Sequence, residues 1–118
     1  MTSNELKRRT KRFSVDVFRF CRTLQTDPAT TAVMRQLVRS GTAVGSNYRG
    51  VCRAKSKADF ISKMTNAEEE ADETQFWLEV LVDASSISKA TVQQLLDEAD
   101  QPTRIFVASI NTARGGSR

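Results

Sequence analysis

The chain contains no histidine, and this absence removes several classes of enzyme and metal site. Ser-His-Asp triads, Cys-His dyads and most zinc sites need an imidazole as base or ligand. Cysteine is scarce too: Cys21 and Cys52 lie 31 positions apart and form no CxxC pair. We expect both to be small buried residues with free thiols. No paired nucleophile and base is apparent, so we expect no catalytic residues, no cofactor and no metal.

Proline and long apolar runs are also rare. Two prolines in 118 residues, among long stretches of helix-favouring residues, argue against a β-sandwich or barrel. No stretch approaches the roughly 18–20 apolar residues that a membrane-spanning helix needs, and no N-terminal apolar segment suggests secretion. The length fits a single domain. We therefore expect a cytoplasmic protein that does not insert into a membrane.

Apolar residues recur at helical spacing in four segments. The clearest pattern lies in the third, where steps of four and three connect Phe60, Met64, Ala67, Ala71, Thr74, Leu78 and Leu81. Because the connections are short, neighbouring helices should be antiparallel. The sequence predicts an all-α, antiparallel up-down-up-down four-helix bundle over residues 1–112, with a flexible tail at 113–118. The helices are expected at about 4–26, 29–54, 57–84 and 89–111.

Local signals support these helix boundaries. Asp27 and Pro28 are suited to the start of the second helix, as an N-cap followed by a proline in the first turn. Ser56, followed three residues later by Asp59, resembles a capping box at the start of the third helix. Pro102 lies inside the fourth helix, where it is expected to cause a kink.

The stretch RSGTAVGSNYRG, residues 39–50, holds three of the five glycines. It matches neither the GxxxxGK[ST] phosphate loop nor the GxGxxG dinucleotide fingerprint, and no strand precedes it. An antiparallel hairpin turning near Ser56 would instead place Gly41 opposite Ala71 and Gly45 opposite Ala67. Small residues facing each other would let the second and third helices approach closely. The same alignment predicts a partly buried ion pair between Arg39 and Glu73.

Charge is strongly segregated along the chain. Residues 1–57 carry 13 lysines and arginines against 3 acids, whereas residues 58–85 carry one against eight. The start of the first helix and the end of the second should lie at the same end of the bundle. Their cations would then form one basic surface suited to a phosphate backbone, although ordinary solvated surface charge is the alternative. The candidate nucleic-acid-binding residues are Lys7, Arg8, Arg9, Lys11, Arg12, Arg49, Arg53, Lys55 and Lys57.

Some apolar residues lie outside the predicted core. An interface between subunits needs apolar side chains that the core does not use. The candidates for such an oligomer interface are Val15, Phe18, Trp77 and Val80, and Trp77 has the alternative of lying at the edge of the core.

Two blocks, RSGTAVGSNYRGVCRAKSKADFISKM at 39–64 and EADETQFWLEVL at 70–81, resemble a known family. It is the four-helix-bundle family of proteins encoded by 23S ribosomal RNA intervening sequences. The resemblance implies a cytoplasmic bacterial protein that assembles as a ring-like homopentamer. Distant relatives, the accessory variability proteins of diversity-generating retroelements, bind nucleic acid and a reverse transcriptase. The implied partners are copies of the chain itself, RNA or DNA, and a reverse transcriptase or another protein.

Taken together, these observations predict a non-enzymatic, oligomeric helical bundle that acts as a nucleic-acid-binding accessory or scaffold through its basic surface. The alternative is a protein-interaction adaptor ring with no nucleic-acid role.

Overall fold

A computed structural model describes residues 1–115 and contains four helices: α1 (Ser3–Cys21), α2 (Pro28–Val51), α3 (Lys57–Ala84) and α4 (Lys89–Ala113). Helix α2 packs between α1 and α3, and α4 closes the bundle by packing on α3 and, less extensively, on α1. Helices α1 and α3 therefore lie on one diagonal of the bundle, and α2 and α4 lie on the other. The predicted all-α four-helix bundle is confirmed.

Side-chain caps define where α2 and α3 begin. The Asp27 carboxylate accepts a hydrogen bond from the Thr30 backbone N–H at 2.9 Å, and the proline after Asp27 occupies the first turn. Ser56 Oγ accepts from the Asp59 backbone N–H at 3.0 Å. The Asp59 carboxylate reaches back to the Lys55 backbone N–H, also at 3.0 Å. Both starts agree with the sequence signals, because each cap satisfies amides that the helix leaves without a partner.

Helices α1 and α2 end earlier than predicted. The sequence pattern suggests ends near residues 26 and 54, whereas the helices stop at Cys21 and Val51. After α1, the backbone N–H groups of Thr23 and Leu24 donate to carbonyls three residues back, and the chain leaves the helix through these tighter turns. After α2, the backbone N–H groups of Arg53 and Ala54 donate to carbonyls three residues back in the same way. Apolar spacing continues beyond both ends, which explains why periodicity overestimates the helices.

Helix α4 continues through Pro102, which is buried, and extends to Ala113. Gly115 follows with a φ of 77°, in the left-handed region that glycine adopts without strain. The predicted flexible tail begins inside this helix, and its residues 116–118 lie outside the described residues.

The core is built from the stripes that the sequence indicates. Six of the seven residues in the α3 pattern are buried, and only Phe60 is half-buried. Phe106 of α4 is fully buried and stacks on Tyr48 of α2 with ring centroids 5.8 Å apart. Cys21 is buried, and burial raises the pKa of its thiol to about 11. Cys52 is exposed after the end of α2, so the expectation that both cysteines are buried is wrong for this one.

The glycines of α2 face α1, which corrects the predicted packing motif. A Cβ built on Gly41 would lie 2.5 Å from Val17 Cγ1, and one built on Gly45 would lie 2.7 Å from Ser14 Oγ and 3.0 Å from the Thr10 carbonyl oxygen. The missing side chains therefore let α1, rather than α3, approach the backbone of α2. Ala67 and Ala71 are buried on α3 as expected, but the atoms nearest to the Cβ positions of Gly41 and Gly45 belong to α1.

The alignment of α2 with α3 agrees with the sequence. Arg39 forms ion pairs with Glu73 and with Glu70, the latter at 3.2 Å, and Thr74 Oγ1 donates to Ser40 Oγ at 3.0 Å. The Arg39 side chain is 49% exposed and that of Glu73 is 37% exposed. The predicted ion pair therefore forms, but at the surface rather than in a partly buried position.

Candidate nucleic-acid interface

The start of α1 lies beside the end of α2 at one end of the bundle. Ser3 Oγ is 3.2 Å from the Tyr48 hydroxyl and 3.5 Å from Cys52 Sγ. The basic segments at residues 7–12 and 49–57 consequently approach each other, as the antiparallel arrangement predicts. We call this part of the molecule the basic end.

A shallow groove of about 180 Å³ runs between α1 and α2 at the basic end. Three cations line it: Lys7 and Lys11 lie one turn apart on α1, and Arg49 reaches it from α2. The other lining residues are Ser14, Thr42, Gly45 and Ser46, so none of the lining residues within 1–115 carries a carboxylate. Cations, hydroxyl groups and close backbone are the groups that contact phosphate in nucleic-acid complexes. We call this feature the α1–α2 groove.

The groove depends on the close approach of the two helices. Ser14 Oγ donates to the Gly41 carbonyl oxygen at 2.8 Å, and the Gly45 backbone N–H approaches the same hydroxyl at 3.2 Å. With no Cβ on either glycine, the backbone of α2 lies directly against Ser14 and Val17 of α1. Lys7 and Lys11 are therefore held close to Arg49 across a narrow gap, which concentrates positive charge along it.

Three further candidates lie between the end of α2 and the first residue of α3. Arg53, Lys55 and Lys57 are all exposed. Asp59 is the nearby acid, but its carboxylate is already engaged by Lys63 Nζ at 2.9 Å and by the Lys55 backbone N–H. These hydrogen bonds, that from Lys63 first, hold the pKa of Asp59 below its usual value. The three side-chain cations remain exposed at the basic end.

The remaining candidates do not line the α1–α2 groove. Arg9 donates from its guanidinium to Gln101 of α4, and Arg12 lines a cavity of about 300 Å³ on the α4 side of α1. Arg8 is exposed on the outer face of α1. The nine candidates thus occupy more than the single surface predicted, because residues 7 and 11 project from a different side of α1 than residues 9 and 12.

Acids accompany the Arg12 cavity. Asp16 of α1 and Glu98 of α4 also line it. Burial raises the pKa of Glu98, and a hydrogen bond and charge repulsion from Asp16 raise it further. The positive charge of Arg12 lowers this pKa, but by less. Anions are less favoured here than in the α1–α2 groove, where none of the described lining residues is acidic.

A larger cavity of about 550 Å³ lies at the opposite end of the bundle. Its floor includes Phe20, Leu24 and Ile87, and its walls are mainly serine and threonine. It contains Asp27, and no lysine or arginine of residues 1–115 lines it, so it is unsuited to a polyanion. In the part of the chain that the structure describes, no group of three His, Cys, Asp or Glu side chains is placed to hold a metal ion.

The predicted interface residues have unequal exposure. Val15 and Phe18 are exposed on α1, whereas Trp77 and Val80 are half-buried on α3. The indole N–H of Trp77 donates to Glu73 at 3.1 Å, which anchors this ring at the edge of the core. The interface candidates drawn from the sequence do not include Phe76, which is 53% exposed and meets Trp77 edge to face at 4.9 Å. Its position midway between two buried residues of the α3 pattern indicates this outward direction.

None of the helices within residues 1–115 is both long enough and apolar enough to cross a bilayer.

Comparisons with known proteins support a family assignment. The model of the 23S rRNA-intervening sequence protein family matches residues 2–108. The chain is also similar to a crystal structure from Bacteroides thetaiotaomicron, described as a protein of unknown function from the S23 ribosomal protein family. That match has 29% identity and a TM-score of 0.85, and it covers 94% of this chain and 99% of the other. No curated protein matches the chain. With a family match spanning nearly its whole length, the chain belongs to the 23S rRNA-intervening sequence protein family.

Proposed function

We propose that this protein is a non-enzymatic, cytoplasmic accessory protein that binds the phosphate backbone of RNA or DNA in the α1–α2 groove. The observation that carries the proposal is the lining of that groove, which among the described residues consists of three cations and several hydroxyl groups without a carboxylate. A surface of this kind favours polyanions through charge and counterion release, without reading base sequence. The exposed cations Arg53, Lys55 and Lys57 extend the positive surface from the groove across the adjacent turn.

Binding rather than catalysis is the activity that this chemistry supports. The chain has no histidine, so the general base used most often in enzymes is missing. The groove presents cations and hydroxyl groups but no general base. Such a surface holds a backbone in place and leaves its bonds intact.

Fluorescence anisotropy with a labelled single-stranded RNA and a labelled duplex DNA tests the proposal. We expect binding at low salt that weakens steeply as salt rises. Replacing Lys7, Lys11 and Arg49 with alanine should weaken binding and reduce the slope of log Kobs against log salt by roughly 2 for single strands. Comparing the two probes separates a preference for RNA from a preference for DNA.

A matched control removes the same amount of charge elsewhere. Arg35, Lys89 and Arg104 are exposed outside the groove, and the Arg104 side chain is 78% exposed on α4. Their triple alanine variant should bind almost as tightly as the wild type. Equal losses in both triple variants would mean that net charge alone attracts the probe. An absence of wild-type binding at micromolar protein and low salt would remove the proposal.

A second candidate is an adaptor that docks another protein, and the exposed rings of Phe18 and Phe76 favour it. A reverse transcriptase is one partner that the family resemblance implies. Pull-down of that partner should survive the alanine changes in the groove if docking uses the apolar rings. If the groove variant loses both activities together, the two candidates share one surface.

A further inference from the structure

A cleft follows the seam between α1 and α4, the two neighbouring helices that pack on each other least extensively in the described chain. The cavities of about 550 and 300 Å³ both include Phe20 and Thr91 in their linings, so they are continuous along this seam. The larger cavity has a volume typical of sites that bind small molecules. We call the two cavities together the α1–α4 cleft.

The floor of the cleft is apolar. Phe20 of α1 lies in both cavities, Leu24 and Ile87 belong to the larger one, and Leu95 of α4 belongs to the smaller one. Phe20, Leu24 and Ile87 are only half-buried, so part of each side chain remains accessible. An aliphatic chain lying along the cleft would cover this surface and remove it from water.

The polar walls of the larger cavity are arranged to accept hydrogen bonds. The hydroxyl groups of Thr23 and Ser85 donate to backbone carbonyls, and that of Thr30 donates to the Asp27 carboxylate at 2.8 Å. A hydroxyl group has one proton and two lone pairs, so toward a ligand these three can only accept. Hydrogen bonds from Thr30 also hold the pKa of Asp27 below its usual value, so this carboxylate is charged at neutral pH. The walls therefore favour a ligand that donates.

Carboxylates outnumber cations along the cleft, although the chain as a whole has a formal net charge of +4. Asp27 lies in the larger cavity, and Asp16 and Glu98 lie in the smaller one together with Arg12. No other lysine or arginine of residues 1–115 lines either cavity. Burial and the neighbouring Asp16 disfavour the charged form of Glu98 and raise its pKa. A bound cation would relieve this repulsion.

We propose that the α1–α4 cleft binds a linear aliphatic polyamine. The methylene chain would lie on the apolar floor, and the ammonium groups would donate to the carboxylates and to the hydroxyl oxygens of the walls. A compact inorganic cation would match the charge but leave the floor uncovered, and a neutral alcohol would leave the carboxylates without a counter-charge. The cleft is separate from the α1–α2 groove, and its test contains no nucleic acid, so the two proposals succeed or fail independently.

Isothermal titration calorimetry with spermidine, a linear triamine, at low salt and neutral pH tests the proposal. We expect saturable binding of one spermidine per chain. Hexaamminecobalt(III) carries the same charge but has no aliphatic chain, so it should bind more weakly. Ile87→Ser shortens the apolar floor in the connection between α3 and α4. This variant should weaken the binding of spermidine and leave that of hexaamminecobalt(III) unchanged.

A double variant, Asp16→Asn with Glu98→Gln, removes the two carboxylates of the smaller cavity. It should raise the Kd for spermidine roughly tenfold, because two partly exposed ion pairs are lost. The changes remove a repulsion, so we expect the variant to fold, and circular dichroism melts verify this. The matched control, Asp72→Asn with Glu79→Gln, removes two exposed carboxylates of α3 and should leave the Kd nearly unchanged.

Three outcomes would overturn the proposal. No heat of binding with millimolar spermidine at low salt would mean that the cleft takes no polyamine. Equal losses in the two double variants would place spermidine on the acidic surface in general rather than in the cleft. Hexaamminecobalt(III) binding as tightly as spermidine would mean that charge alone, without the apolar floor, attracts the cation.

Discussion

Helix α2 packs against its two neighbours by different means. Toward α1 it presents Gly41 and Gly45, so its backbone lies directly against the side chains of Val17 and Ser14. Toward α3 it presents Arg39 and Ser40, whose side chains reach across to Glu70, Glu73 and Thr74. The first contact leaves no room for a single added methyl group, whereas the second is made by side chains that can adjust. We therefore expect the two sides of α2 to respond very differently to mutation.

The largest predicted effect is on the α1 side. Gly41→Ala would place a methyl group 2.5 Å from Cγ1 of Val17, which is fully buried and β-branched, so its rotamer cannot easily change. Overpacking of this kind costs about 1–3 kcal/mol, more than the helix propensity that alanine adds. Urea unfolding should show a loss of about 2 kcal/mol in the free energy of unfolding.

Gly50→Ala is the matched control for this change. A Cβ there would lie 3.6 Å from Lys63 Cδ, at ordinary contact distance from a flexible side chain. Alanine should therefore stabilise α2 by up to about 1 kcal/mol. If Gly41→Ala and Gly50→Ala gave the same stability, α1 would not approach α2 as closely as described.

The next effect in size concerns the serine between the helices. Ser14→Ala removes the hydroxyl that donates to Gly41 and lies 3.2 Å from the Gly45 amide. A buried hydrogen bond contributes about 1 kcal/mol net, and we expect a loss of that order in urea unfolding. Ser62→Ala, an exposed change on α3, reports what alanine adds to a helix by itself. If the Ser14→Ala variant were as stable as Ser62→Ala, the hydrogen bonds of the Ser14 hydroxyl would contribute nothing to stability.

The α3 side should be more tolerant. Arg39 and Glu73 are substantially exposed, and exposed ion pairs contribute about 0.2–1 kcal/mol, less at high salt. The hydrogen bond from Arg39, followed by that from Trp77, holds the pKa of Glu73 below its usual value. The stabilisation that the Glu73 carboxylate contributes to folding is therefore present above its unfolded-state pKa. It is lost as pH falls through its folded-state pKa. The stability difference between wild type and Glu73→Gln should shrink on acidification.

Glu69→Gln, an exposed change on the same helix, serves as the control for that measurement. Its stability difference from the wild type should vary less with pH. A Glu73→Gln difference that persisted unchanged in acid would argue against the Arg39 contact as its source.

The contrast between the two sides of α2 also shows where sequence reasoning succeeds. Spacing of apolar residues identified four helices, and the hairpin turn near Ser56 gave the pairing of Arg39 with Glu73. The same hairpin alignment assigned Gly41 and Gly45 to α3 instead of α1, because the apolar face of α2 packs on both of these helices. Which helix a small residue touches depends on the rotation of α2 about its axis, and spacing alone does not determine that rotation.

Prediction of the candidate site from the sequence is limited for the same reason. Clustering of charge in the sequence indicated that both basic segments lie at one end, and the groove there includes Lys7, Lys11 and Arg49. The clustering of charge did not distinguish the groove cations from Arg9 and Arg12, which face α4. That separation requires knowing on which side of α1 each neighbouring helix lies, and this handedness of the bundle leaves no mark in the periodicity.

The smallest predicted effect concerns α1 and α4, whose contact is the least extensive of the four in the described chain. Burial, then the neighbouring Asp16, raises the pKa of Glu98, so the folded state binds its proton more tightly than the unfolded state does. The bundle should therefore lose stability as pH rises from the unfolded-state pKa through the folded-state pKa of Glu98. Glu98→Gln removes the unfavourable negative charge at this position. The change should therefore stabilise the protein at neutral pH by less than about 0.5 kcal/mol.

Thermal unfolding across the acidic range, for wild type, Glu98→Gln and Asp97→Asn, measures that effect. Asp97 is exposed next to Glu98, so its variant reports the change in net charge without altering the Asp16 contact. The gain in Glu98→Gln should vanish at low pH, where the wild-type carboxyl is protonated and carries no charge to repel Asp16. A gain that stayed constant across pH, or one matched by Asp97→Asn, would show that α1 and α4 meet without carboxylate repulsion.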